Sequence, residues 1–139
     1  WGLASLRLGM AFASEELIRI LNKIKPPYNI SGLTQDTVLA AIKGKAKVDR
    51  MIQEILAERE FLKSELEKLS FVQKIHPSHA NFLLVQIPNA NQVYDDLIDE
   101  KVIVRNRAKV LLCEDCLRIT VGTREENESL LKALRKVCS

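Results

Sequence analysis

The stretch CLRITVGTREE, residues 116–126, combines a short strand with the start of a helix. Apolar side chains alternate with other residues along the strand, and one face carries Leu117, Ile119 and Val121. Arg118 therefore lies in the middle of the opposite face. Thr123 and Glu126 have the spacing of a capping box, so a helix is expected to begin directly after Thr123. The sequence predicts a rigid strand with one arginine at its centre.

Arg118 has two interpretations. A guanidinium held on a strand suits a planar carboxylate, because its fork of N–H groups can donate two parallel hydrogen bonds. Alternatively, Arg118 is an ordinary arginine on the solvent-facing side of a sheet. The stretch alone leaves both interpretations open.

The elements that precede this stretch are predicted to be helices followed by a small sheet. A helix is expected over residues 31–42, Gly44 marks a break, and a longer helix should run to about Leu69. Further strands are predicted over residues 71–75, 81–87 and 102–105, with a helix between the last two that buries Val93, Leu97 and Ile98. The expected fold class is α+β: a long helix and a mostly antiparallel sheet of three or four strands, covered by helices.

The N-terminal residues predict a separate segment. Residues 6–13 alternate bulky and small side chains and are interpreted as a strand, with Arg7 on its narrow face. A buried arginine needs an anionic partner, either a ligand or an acidic residue of the same fold. A short helix should start at Ser14 and stop before Pro26 and Pro27, which we interpret as a domain boundary.

Composition narrows the class of protein. The 139 residues are 47% hydrophobic and 28% charged, which is typical of one globular domain. The net charge of +3 is spread over both signs, which argues against a nucleic-acid partner. No apolar run is long enough to span a bilayer, so we expect no membrane association and a cytoplasmic location.

The three cysteines raise the question of a metal site. Cys113 and Cys116 have CxxC spacing, and His76 with His79 could complete four zinc ligands. The histidines bracket a proline, however, and a second CxxC is missing. A redox pair is disfavoured because this CxxC leads into a strand and not into a helix. A zinc-binding or interaction module remains an alternative, although the favoured interpretation has no metal site.

Five motifs together carry a resemblance to a known family. They are WGLASLRLG at residues 1–9, PYNIS at 27–31, ANF at 80–82, VRN at 104–106 and CLRITVGTREE at 116–126. The chain resembles the C-terminal part of the histidinol-phosphate aminotransferases, which are fold-type I enzymes dependent on pyridoxal phosphate. The likeness covers essentially the whole chain. A related aminotransferase for another amino acid is the alternative within this class.

The resemblance implies how the chain relates to a longer enzyme. Residues 1–30 would be a remnant of the large cofactor-binding domain, and residues 31–139 the small C-terminal domain with a long interdomain helix. In the family a Ser-Lys-Ala segment precedes the position of Trp1, and its lysine forms the Schiff base with the cofactor. No catalytic residue is therefore expected in this chain, which alone should be inactive.

The resemblance also implies roles for three arginines. Arg7 would bind the phosphate of pyridoxal 5′-phosphate, Arg118 the α-carboxylate of the amino acid, and Arg105 the phosphate end of histidinol phosphate. Asn81 could support the Arg118 side of the site. The implied partners are small-molecule substrates, histidinol phosphate and glutamate or 2-oxoglutarate, in histidine biosynthesis, and a second copy of the enzyme in a homodimer.

Overall fold

A computed structural model describes residues 1–138, and the chain divides into two compact units, Trp1–Arg50 and Met51–Ser139. A short 3-10 helix, Ala4–Leu6, comes first. The helices are α1 (Glu15–Ile24), α2 (Gly32–Ile42), α3 (Lys45–Leu66), α4 (Ala90–Asp99) and α5 (Arg124–Val137). The strands are β1 (Lys74–Ile75), β2 (Phe82–Gln86), β3 (Arg105–Asn106) and β4 (Cys116–Thr120).

The four strands form one antiparallel sheet in the order β1-β2-β4-β3. Strand β4 is central, with Leu84 of β2 opposite Arg118 on one side and Arg105 of β3 opposite it on the other. The predicted α+β class, with a small antiparallel sheet and a long helix, is confirmed.

The hydrophobic core lies against one face of this sheet. Leu117 and Ile119 are 0% and 1% exposed, as the alternation along β4 predicts. The core is completed by Leu83 and Val85 of β2, Ile87 directly after β2, Leu62 and Leu66 of α3, Ala90, Val93 and Leu97 of α4, and Leu130, Leu131, Ala133 and Leu134 of α5. Because successive strand residues point to opposite faces, Arg118 and Arg105 lie on the face away from this core.

The capping box at the start of α5 is confirmed. The Thr123 side chain accepts a hydrogen bond from the Glu126 backbone N–H at 3.4 Å, and the Glu126 carboxylate accepts one from the Thr123 N–H at 2.7 Å. Gly122 makes room for this arrangement, since a Cβ there would lie 2.7 Å from Glu126 Oε2. The end of β4 and the start of α5 are thus fixed by local contacts.

The strand expected over residues 6–13 does not form. Arg7 ends the 3-10 helix in the left-handed region (φ 53°), and the residues up to Ser14 have no regular secondary structure. The four-stranded sheet of the described residues does not include this segment, so its backbone has no ladder to join. Met10 and Phe12 are accordingly 77% and 92% exposed. The interpretation of these residues as a strand is wrong for this structure.

Helices α1 and α2 begin as predicted. Ser14 and Ser31 are their N-caps, and the Ser31 hydroxyl accepts a hydrogen bond from the Thr34 N–H at 3.1 Å. The predicted break at Gly44 is also present. Two apolar side chains of α2, Leu39 and Ile42, are 61% and 48% exposed, and none of the residues before Leu62 is buried.

Several helix and strand boundaries in the second unit differ from those that the sequence predicts. Helix α3 ends at Leu66, three residues early, because the chain turns there and Leu69 donates its N–H to the Leu66 carbonyl. Strand β3 starts at Arg105, because Lys101 adopts a positive φ of 63° after α4 and redirects the residues that follow. Ile98, expected inside, is 41% exposed.

The division between the two compact units falls within α3, at residues 50 and 51. The assignment of residues 1–30 and 31–139 to two domains of a longer enzyme is a different statement and stays a prediction. Within residues 1–138, no helix combines the length and the apolar character that crossing a bilayer requires.

Candidate anion-binding site

Arg105 and Arg118 come together on one face of the sheet. They are direct partners in the antiparallel register of β3 and β4, a position in which side chains share a face with Cβ atoms about 5 Å apart. The sequence motifs predict a binding role for both arginines but do not predict their pairing. The structure therefore brings the two substrate-binding candidates next to each other.

The Arg118 side chain lies against an aromatic ring. Its Cζ lies 5.1 Å from the centre of the Phe82 ring, within the range of a cation–π interaction. Its Nε is buried and has no hydrogen-bond partner within residues 1–138. Arg118 is thus partly desolvated without an acidic group of the described chain to compensate its charge.

The electrostatics of this face favour an anion. Lys74 of β1 lies on the same face of the sheet as Arg118 and Arg105. It pairs with Gln86, and Gln86 lies two residues from Leu84, the partner of Arg118, and so shares its face. Like charges placed opposite each other on a sheet are destabilising. Neither arginine forms an ion pair with any residue in the part of the chain that the structure describes. A bound carboxylate or phosphate would relieve the repulsion, so the alternative of an ordinary surface arginine explains less.

The other two sequence candidates are not part of this arginine pair. Arg7 belongs to the unit Trp1–Arg50, where it is exposed and has no ion pair with the residues described. Its side chain is therefore available to a phosphate. Asn81 pairs with the ladder through its backbone, because its carbonyl accepts a hydrogen bond from the Val121 N–H at 2.9 Å. The Asn81 side chain is exposed, so any support of Arg118 comes through the backbone.

A buried polar cluster that the sequence patterns did not reveal anchors the β4–α5 corner. Asn127 is 1% exposed; its side-chain amide N–H groups donate to Glu58 at 3.0 Å and to the Gly122 carbonyl at 3.1 Å, and its oxygen accepts from the Gly122 N–H at 3.0 Å. Glu58 of α3 also accepts hydrogen bonds from Arg124 Nε and Nη2 at 3.0 and 2.9 Å. Helix α3 is thereby tied to the turn that ends the arginine-bearing strand.

Glu58 gives the fold a predicted pH dependence. Hydrogen bonds from Arg124 and Asn127 lower the pKa of the Glu58 carboxyl, against a smaller opposing effect of burial. Because the folded pKa is the lower one, the unfolded chain binds the proton more readily, and this stabilisation disappears as the pH falls below the ordinary carboxyl value of about 4.3. We expect Glu58→Gln to flatten the loss of stability that sets in as the pH falls below about 4.3.

Urea denaturation of wild type and Glu58→Gln at a series of pH values measures this difference. Glu60→Gln is the matched control, since Glu60 lies on the same helix but its one ion pair within residues 1–138, with Arg59, is long at 3.6 Å. Equal acid dependence of wild type and Glu58→Gln would contradict the role given to Glu58.

The cysteines and histidines do not form a metal centre within residues 1–138, where no group of three His, Cys, Asp or Glu side chains is placed to hold an ion. Cys113 and Cys116 close a turn, with the Cys116 N–H donating to the Cys113 carbonyl at 3.0 Å. Burial and the neighbouring Cys113 raise the pKa of the Cys116 thiol, which disfavours the reactive thiolate.

The profile of the family "Aminotransferase class I and II" matches residues 1–134. The chain therefore belongs to this aminotransferase family. It is 50% identical over 135 residues to the histidinol-phosphate aminotransferase of Cytophaga hutchinsonii and 48% identical over 136 residues to that of Bacteroides thetaiotaomicron. These matches cover 97% and 98% of the chain but only 39% of each relative, so the chain spans about two fifths of their length.

A solved structure shares the fold. The histidinol-phosphate aminotransferase of Sinorhizobium meliloti, determined in complex with pyridoxal-5′-phosphate, superposes with a TM-score of 0.83 at 23% identity. The match covers 98% of this chain and 38% of that protein. At this identity the likeness concerns the fold alone.

Proposed function

We propose that the full-length protein containing this chain is a pyridoxal-phosphate-dependent aminotransferase that moves an amino group between L-histidinol phosphate and 2-oxoglutarate in histidine biosynthesis. The names of relatives at 50% and 48% identity support the substrate assignment. The observation that carries the proposal is the paired arginines, Arg105 and Arg118, on a face where the described chain gives them no acidic partner.

The proposed substrates differ in the anionic group that Arg105 and Arg118 would bind. Glutamate and 2-oxoglutarate carry carboxylates, whereas histidinol phosphate is an alcohol ester whose anionic group is a phosphate. We assign Arg118 to the α-carboxylate of the amino acid, because its fork can donate two parallel hydrogen bonds. Arg105, directly opposite, adds the second cation that a phosphate dianion requires when histidinol phosphate occupies the same place.

Arg7 is assigned to the phosphate of the cofactor. Its exposed guanidinium has no acidic partner within residues 1–138, which fits a group that donates hydrogen bonds to a phosphate. The alternative of an internal ion pair is left without support. When bound, pyridoxal phosphate supplies the electron sink for chemistry at the amino-bearing carbon. The residues of this chain contribute binding and orientation to that chemistry, and none of them is assigned a proton-transfer role.

The remaining features of the proposal concern the whole enzyme. Residues 1–30 are proposed to belong to its large domain and residues 31–139 to its small domain. We further propose a cytoplasmic homodimer, and we expect no turnover from residues 1–139 alone. These features rest on the family resemblance.

Arg105→Ala in the full-length protein tests the assignment. We expect KM for histidinol phosphate to rise about tenfold or more, because one charged hydrogen bond contributes roughly 1.5–3 kcal/mol, and KM for glutamate to rise less. Steady-state kinetics with each amino donor measures the two effects.

Lys109→Ala is the matched control, since Lys109 is an exposed cation four residues after Arg105 and forms no ion pair within residues 1–138. Failure of the wild-type protein to use histidinol phosphate would overturn the proposed substrate. Unchanged kinetics of Arg105→Ala would overturn the role of this residue alone.

A further inference from the structure

We propose that Phe82 is a positioning residue, whose ring holds the Arg118 guanidinium in the orientation that receives the substrate carboxylate. The inference rests on the proposed function and assigns a role to the third member of the ANF motif. Phe82 itself makes no hydrogen bond to the substrate in this proposal, because it acts through Arg118.

The register places the ring under the guanidinium. Phe82 pairs with Thr120 and Leu84 pairs with Arg118, so Phe82 and Arg118 are diagonal neighbours on the same face of β2 and β4. Diagonal neighbours are within reach of aromatic and long side chains. The observed 5.1 Å between Arg118 Cζ and the ring centre agrees with this placement.

The segment that carries the ring is held on several sides. The Phe82 carbonyl accepts a hydrogen bond from the Ser78 hydroxyl at 2.6 Å, and the same hydroxyl oxygen accepts the Ala80 N–H at 3.1 Å. Arg59 of α3, whose side chain is 12% exposed, donates to the Ala80 carbonyl at 3.1 Å. The ring therefore stands on a backbone that both α3 and the sheet restrain.

The orientation of Arg118 has a chemical consequence. Its buried Nε has no access to solvent, so a carboxylate reaches the two terminal amino groups, Nη1 and Nη2. An arginine side chain that is free to change rotamer loses considerable entropy when it binds, and a ring that restrains it reduces this cost.

A second arginine–aromatic contact in the same unit makes a useful comparison. Arg124 lies 3.5 Å from the centre of the Phe61 ring, but its guanidinium also forms an ion pair with Glu58 at 2.9 Å. Arg118 has the ring and lacks such a carboxylate within residues 1–138. Glu58 of the same chain neutralises Arg124, whereas the corresponding carboxylate at Arg118 would come from a ligand.

The test uses the full-length enzyme with Phe82→Leu, which keeps an apolar side chain but removes the aromatic face, and Phe82→Tyr, which keeps that face. We expect Phe82→Leu to raise KM for glutamate about 2- to 30-fold, the range of a cation–π contact, while kcat changes less than twofold. Phe82→Tyr should restore KM to within about twofold of wild type, an expectation from the same interaction. Phe82→Met provides a second variant without a ring if Phe82→Leu does not fold.

Phe71→Leu is the control for a purely structural effect, because Phe71 packs against the core cluster and not beside Arg118. It should lower the melting temperature without changing KM. A wild-type KM in both Phe82→Leu and Phe82→Met, or equal KM in Phe82→Tyr and Phe82→Leu, would overturn the inference. If Arg118→Ala left KM for glutamate unchanged, both the proposed carboxylate site and the inference about Phe82 would be wrong.

Discussion

Arg118→Ala in the full-length enzyme is expected to lower kcat/KM for glutamate by about 10²-fold or more. A bidentate contact comprises two charged hydrogen bonds of roughly 1.5–3 kcal/mol each, and the alanine variant loses both. Folding should be affected little, since Arg118 has no hydrogen bond or ion pair from its side chain to the described residues and its buried Nε is unpartnered. Steady-state kinetics and thermal denaturation of the same preparation separate the two effects.

Arg118→Lys is the informative companion variant. Lysine keeps the positive charge but lacks the planar fork, so its kcat/KM should remain well below that of wild type. A wild-type kcat/KM of Arg118→Ala with both glutamate and histidinol phosphate would remove Arg118 from the site. Full activity of Arg118→Lys would show that charge alone suffices and that the bidentate geometry is unnecessary.

Asn127→Ala is expected to destabilise the second unit by about 2–5 kcal/mol. The variant leaves the N–H and carbonyl of Gly122 without the partners that Asn127 provides, and it removes one donor from Glu58. Each buried polar group left unsatisfied costs about 1–3 kcal/mol. Urea denaturation, followed by a signal from this unit, measures the loss.

Glu128→Ala on the same helix is the control for this experiment. Glu128 is exposed and its side chain makes no hydrogen bond to residues 1–138, so the change should stay within about 0.5 kcal/mol. Equal stability of Asn127→Ala and Glu128→Ala would mean that water replaces the Asn127 side chain without cost, and the anchoring role of the cluster would be wrong.

Local patterns predicted those parts of the fold that depend on neighbours in sequence. The capping box at Thr123 and Glu126 and the two-residue alternation that separates Arg118 from Leu117 are of this kind, and both are confirmed. Each depends on interactions over at most a few residues, so the pattern contains the whole cause.

Features that depend on distant residues could not be predicted in this way. Asn127 binds a glutamate 69 positions earlier, and no periodicity connects the two. The pairing of Arg105 with Arg118 depends on how the turns between β3 and β4 set the register, which the composition of that loop does not specify. The segment at residues 6–13 has a strand pattern, but a strand also requires a neighbouring ladder, and the pattern cannot supply one.

The parity of β4 also limits how the gene can change. Inserting or deleting one codon within residues 116–120 would exchange the faces of the residues on one side of the change, so that Arg118 turns into the core or Leu117 or Ile119 turns outward. Residues 107–115, in contrast, form successive turns in which Val110 and Cys113 donate N–H groups to carbonyls three residues back. Such a loop can change in length while the strands keep their pairing. Length variation among aminotransferases of this kind should therefore concentrate in the loop and avoid the strand, which a survey of reading frames can establish without purifying any protein.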